Sequence, residues 1–174
     1  MFIQQDSVSP RFSNLVRNVI ARKISKGYYT PITKNIVKVK EGQTRCAYAL
    51  CDDEGWPVAW LYFERQLGWK AWEVIQSFVP PEYRGQGIAT ELFEAAINVD
   101  GQIVASGKTH TSISRKMWES FIRKETFRIW AQDFWDLNRS AQIFFEDGEL
   151  FCPLNLYFRG SNQSEDIRLI AIRK

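Results

Sequence analysis

Apolar residues recur along the chain with two different periods. Between Ser9 and Gly27, residues Phe12, Leu15, Val16, Val19, Ile20 and Ile24 fall on one face at helical spacing, and Arg11, Arg17, Arg22 and Lys26 populate the remainder. Ser9 suits an N-cap and Pro10 a first helical turn, so a helix is predicted over 9–27. After a turn-rich stretch the pattern becomes strand-like. Asn35–Lys40 alternates weakly and reads as a short strand or an exposed connector. Cys46–Leu50 and Val58–Glu64 are better strands, separated by the turn formers of CDDEGWP, and Trp69–Val79 is the next. Three consecutive strands on short links predict an antiparallel meander.

Helical spacing then returns in two sets, Ile88, Leu92, Ala96 and Ala89, Phe93, Ile97, which end at Asn98–Gly101. Gln102–Ser106 is a short apolar strand expected to run parallel to the one before the helix, through a right-handed crossover. Ser112–Lys124 reads as a second helix with Ile113, Met117, Phe121 and Ile122 inward. Phe127–Phe134 reads as a strand, Gln142–Phe145 with Leu150–Phe158 as a hairpin around Asp147-Gly148, and Ile167–Ile172 as a last, edge strand. The expected fold class is α/β (α+β): a single domain over 1–174, with a mixed, mostly antiparallel sheet and helices on both faces.

The stretch between the third strand and its helix stands apart. Pro80-Pro81 stops the strand, and Arg84-Gly85-Gln86-Gly87 leads into the helix. In such a layout successive backbone N–H groups face one space, and the helix dipole adds partial positive charge, so a phosphate is the natural occupant. A side chain at Gly85 or Gly87 would hold a ligand off the backbone and restrict the turn. Arg84, Gly87 and Ala89 also meet a pattern of Arg or Gln, two residues, Gly, one residue, then Gly or Ala. With Pro and Tyr83 just ahead and the amphipathic helix behind, the stretch resembles the pyrophosphate loop of the GNAT family of N-acetyltransferases.

That resemblance implies acetyl-CoA as cosubstrate. The backbone of Arg84, Gly85, Gln86, Gly87, Ile88, Ala89 and Thr90 would hold its pyrophosphate, and the strand edge at Phe78 and Val79 would pair with the pantetheine arm. A main-chain N–H near that edge would polarise the thioester carbonyl. For the base, Glu73 lies on the strand entering the loop, where it shares a face with Ile75, Ser77 and Val79; Glu64 on the neighbouring strand is second. His110, the single histidine, falls just past Gln102–Ser106, where the resembled fold splays open, and imidazole titrates near working pH. The helix Ser112–Lys124 departs from the family pattern: Trp118 stands where many relatives carry a Tyr that protonates the departing thiolate. Ser114, His110 or water would have to replace it.

Charge changes the picture of partners. The net charge is +3, but residues 1–45 carry +7 and the remainder −4. This polarity points to an anionic partner, a nucleic acid or an acidic protein, at the basic N-terminal helix. No apolar run nears the roughly 18 residues that span a bilayer, and MFIQQDS lacks signal-sequence character, so a cytoplasmic location is expected. Cys46, Cys51 and Cys152 have no CxxC spacing and read as reduced thiols, with no metal expected. Gly107-Lys108-Thr109 lacks the Gly at 102 that a nucleotide-binding P-loop requires. The expectation is an acetyl-CoA-dependent N-acetyltransferase acting by direct attack of a primary amine on a protein, a small molecule or a nucleic acid. The alternative is a degenerate binding module of the same fold. The C-terminal hairpin edge offers a route to pairing with a second copy.

Overall fold

Helix α1 (Pro10–Ser25) forms where the apolar spacing places it, and in the computed structural model it lies on one face of the sheet. The structure describes residues 10–66, 68–107, 112–133, 140–146, 149–151 and 167–174. Val16 and Ile20 are buried against Val39, Ala47, Ala49, Trp60 and Tyr62, with Phe12 and Ile24 packed at the margins. Leu15, expected on this face, is 59% exposed. At 100° per residue it sits at the rim of an apolar stripe whose centre is Val16 and Ile20.

Strands β1 (Thr30–Pro31), β2 (Ile36–Glu41), β3 (Arg45–Cys51), β4 (Pro57–Glu64) and β5 (Trp72–Phe78) form the antiparallel meander. The segment read as strand or connector is therefore a strand. Its weak alternation has a cause: Lys38 is a buried cation on the core-facing side, its Nζ 2.5 Å from Asp100. Helix α2 (Ile88–Glu94), continued by a wider turn over Ala95–Val99, covers the opposite face of the sheet from α1. Its apolar sets bury Ile88, Leu92, Phe93, Ala96 and Ile97 as their spacing requires. β6 (Val104–Ala105) then returns parallel to β5, and every other described strand pairing is antiparallel.

Helix α3 (Ser112–Arg123) joins α2 on that face through Trp118, whose ring meets Phe93 at 5.7 Å and Phe121 at 5.9 Å. β7 (Arg128–Asp133), β8 (Ser140–Glu146), β9 (Glu149–Phe151) and β10 (Ile167–Ile172) complete the order β1-β2-β3-β4-β5-β6-β10-β7-β8-β9. Here the sequence reading needs correction. β10 is not an edge: it is inserted between β6 and β7 and antiparallel to both. Its residues from Ile167 to Ala171 are all buried, which is what a continuous apolar run predicts for a strand covered on two faces. Even Arg168, a charged residue in this run, is only 2% exposed. Among the described residues no helix is long and apolar enough to cross a membrane. Burial pushes the Cys46 thiol up to about 12 and the half-buried Cys51 thiol up to about 11; Cys152 lies outside the described residues.

One polar cluster ties α2 to the meander. Asp100, just past the wide turn, accepts from Lys38, Tyr48 and Gln102. Burial alone would raise its pKa, but the hydrogen bonds from Lys38 and Tyr48 outweigh that and hold the carboxyl below its usual range. A depressed folded-state value stabilises the fold above the unfolded pKa, and that contribution is lost as pH falls through the folded one. Asp100→Ala is expected to lower stability at pH 7 by about 2–3 kcal/mol by leaving Lys38 buried without its counter-charge. In denaturant titrations the deficit against wild type should shrink below about pH 4, near the unfolded carboxyl value; a deficit that is the same at pH 3 and pH 7 would contradict this role.

Candidate active site

β5 is the strand from which the site is built. On one side it pairs with β4 from Glu73 to Phe78, but on the other it pairs with β6 only at Trp72 and Glu73. Beyond Glu73 the described residues supply no strand to that second edge, so the sheet forks there. Two close contacts fix the fork. A Cβ on Gly107 would lie 2.7 Å from the Val74 carbonyl oxygen, so only glycine lets the chain leaving β6 pass so near to β5. Ser106 turns toward β10 instead: its N–H donates to Leu169 at 2.8 Å and its hydroxyl accepts from the Leu169 N–H at 3.0 Å.

The pairing of β4 with β5 carries one irregularity. Tyr62 pairs with Gln76 and Phe63 with Val74, leaving Ile75 as an extra residue in β5. A bulge of this kind reverses which face the following residues occupy. Glu73 therefore does not share a face with Ser77, as strict alternation had suggested, but lies on the α1 side with Gln76 and Phe78. Gln76 is held there, its Nε2 donating to Ser13 of α1 at 2.6 Å and its Oε1 accepting from the Trp60 indole at 3.3 Å. Phe78 stacks on Trp60 with ring centres 4.3 Å apart.

Glu73 is buried at the crotch of the fork, its Oε1 3.9 Å from Arg168 Nε on β10. Sequence reading missed Arg168; the signal was a lone cation inside the apolar run IRLIAI. Glu64 stands opposite Glu73 in register but is ion-paired to Arg45 at 2.9 Å and is half-exposed. Ser114 sits half-buried in the first turns of α3, and His110 lies outside the described residues. Trp118 is 1% exposed and belongs to the core.

At the far end of β5 the loop has the form its glycines suggested. A single tight turn, Pro81–Tyr83, begins at the second proline. Arg84 Nε donates back to the Val79 carbonyl at 3.1 Å, and Gln86 Nε2 donates to the Glu82 carbonyl at 2.9 Å. Both long side chains thus brace the turn from behind. Gly85 and Gly87 have φ of 78° and 82°, and an added Cβ at either would meet open space. After Arg84, the next N–H in this loop to reach a main-chain carbonyl is that of Glu91, bonded to Gly87 at 3.0 Å. The N–H groups of Ile88, Ala89 and Thr90 in the first turn of α2 have no intrahelical acceptor, as at any helix start. An exposed row of amide donors at the head of a helix fits a diphosphate.

Residues 20–105 match the model of the acetyltransferase (GNAT) family. Over that span, just under half of its length, the chain matches the GNAT family. The match runs from within α1 through the meander, the glycine loop and α2 to the end of β6, so the site's loop and fork entrance lie inside it. No curated protein matches the chain. Two solved structures resemble the chain in backbone. One is a protein assigned to the GNAT family from Bacteroides thetaiotaomicron, at TM-score 0.42 and 8% identity, covering 78% of this chain and 65% of that one. The other is an assigned acyl-CoA N-acyltransferase from Klebsiella pneumoniae subsp. pneumoniae MGH 78578, at TM-score 0.40 and 13% identity, covering 95% and 92%. The chain thus spans about 65% of the length of the Bacteroides protein. The likeness to the family rests on the matched residues, not on these two structures.

Two expectations follow from the geometry alone. Gly87→Ala should cost about 1–2 kcal/mol, the penalty of a left-handed backbone with a Cβ, although nothing crowds the position. Gly107→Ala should cost about 1–3 kcal/mol through overpacking against Val74. Chemical denaturation measures both, and a neutral Gly107→Ala would contradict the close approach at the fork.

Proposed function

We propose that this protein is an acyl-CoA-dependent N-acyltransferase that uses acetyl-CoA and transfers its acetyl group to a primary amine. The observation that carries the reading is the row of amide donors from Gly85 to Thr90 for which the described residues supply no main-chain acceptor, at the end of a strand whose other edge no described strand covers beyond Glu73. These amides would grip the diphosphate, and that edge of β5 up to Phe78 and Val79 would take the pantetheine arm. The Val79 carbonyl already accepts from Arg84, but a second lone pair remains for a ligand amide.

The cosubstrate supplies an activated acyl carbon. A neutral amine forms the C–N bond as the C–S bond breaks, and the thiolate leaves with a proton. A main-chain N–H of the β5 edge would stabilise the carbonyl oxygen as charge develops. Glu73, buried with Arg168 at the fork, would take the amine's proton through water. Protonation of the sulfur falls to Ser114, His110 or solvent, since Trp118 has no acidic proton and faces the core. A thiol pKa of about 8.5 makes the thiolate a tolerable leaving group.

Trp118 also supports a second reading, a domain that binds acyl-CoA without transferring the group. Mass spectrometry of protein, polyamine and nucleic-acid acceptors incubated with acetyl-CoA separates the two. Wild type is expected to acetylate one of these classes. Glu73→Gln is expected to lower kcat about 100-fold or more with little change in the KM for acetyl-CoA, and Gly87→Glu to abolish cofactor binding. Saturable acetyl-CoA binding without product from any class would leave only the binding module, and a Gly87→Glu protein that still binds would refute the loop assignment.

A further inference from the structure

The N-terminal excess of positive charge is divided between the two faces of the sheet. Arg11, Arg17 and Arg22 on α1 and Lys26 just past it are exposed, but Lys38 and Lys40 of β2 point to the opposite face, where α2 packs. There, with Arg65, Gln43, Trp72 and Gln102, they line a cleft of about 400 Å³. It opens at the start of β5, whereas the glycine loop follows the end of that strand; six residues of extended chain separate Trp72 from Phe78, or roughly 20 Å. The cleft is therefore distinct from the proposed acyl-CoA site.

Its charges are not balanced. Asp100 neutralises Lys38, whose side chain is 8% exposed and held in place. Among the described residues no carboxylate pairs with Lys40 or Arg65. Arg65 is oriented: its guanidinium stacks over the Trp72 ring at 4.7 Å, and one Nη lies 3.5 Å from the Gln43 carbonyl, leaving other donors of the fork for the cleft. The field of all three cations reaches the buried Cys46 thiol between the strands, where each opposes the effect of burial. Two uncompensated cations, Lys40 exposed and Arg65 oriented by Trp72, ask for a compact charge near −2. A phosphate ester carries about −1.5 to −2 with three acceptor oxygens, whereas a carboxylate brings only −1. The volume is that of a small-molecule pocket.

We infer that the cleft between β2, the end of β4 and the start of β5 binds a small phosphorylated molecule through Lys40 and Arg65, at a second site remote from the glycine loop. Trp72 links that site to the fork, since it is one of the two β5 residues paired with β6.

The test is a titration with phenyl phosphate at fixed ionic strength, followed by NMR through the Trp72 indole and Lys40 amide signals. Saturable shifts at both positions are expected, with acetate at the same concentrations producing none. Lys40→Glu, at an exposed position, is expected to weaken binding at least tenfold, and Gly87→Glu to leave it unchanged. Unsaturable shifts, equal affinity in Lys40→Glu, or a response to acetate as strong as to phenyl phosphate would overturn the inference. Loss of binding in Gly87→Glu would also overturn it, by placing the anion at the glycine loop; that outcome leaves the acyl-CoA reading standing.

Discussion

The parallel pairing of β5 with β6 is two residues long, and the architecture of the site depends on that brevity. β5 is hydrogen-bonded to β4 along almost its whole length, so it cannot follow β6 when the latter turns away. A strand with one edge committed and the other uncovered by any described strand presents main-chain donors and acceptors that need a partner. A peptide-like arm with amides of its own is a chemical match for that edge. Gly107 keeps the two strands close up to the point of divergence, and Ser106 commits the departing chain to β10. The fork is thus a built feature of the fold.

β10 makes the divergence possible. By lying between β6 and β7, antiparallel to both, it gives the second half of the sheet its own continuous hydrogen bonding. It also carries Arg168 to the crotch, where its guanidinium faces Glu73 in a site that neither residue could occupy charged and alone.

What the sequence disclosed was what is local. The glycine loop, the apolar sets of α2 and the meander are each written in a few neighbouring residues, and each stands where spacing placed it. What it concealed depends on partners distant in the chain. The bulge at Ile75 moves Glu73 to the other face, and nothing in WEVIQSF marks the extra residue. Lys38 is buried because Asp100 lies 62 residues away, and a weak alternation was its only trace. The central place of β10 was hidden by its position near the end of the chain. Trp118 was read for the chemistry it lacks, while its ring proves to bind α3 to α2 through Phe93.

The central claim is that the amides of Gly85 to Thr90 and the edge of β5 beyond Glu73 together receive one acyl-CoA molecule. Hydrogen–deuterium exchange of single amides, with and without coenzyme A, tests it most directly. Slower exchange is expected both in the loop from Gly85 to Thr90 and along Val74 to Phe78, with β2 and β3 unchanged. Coenzyme A binding that protects neither segment, or the loop without the strand, would contradict the account.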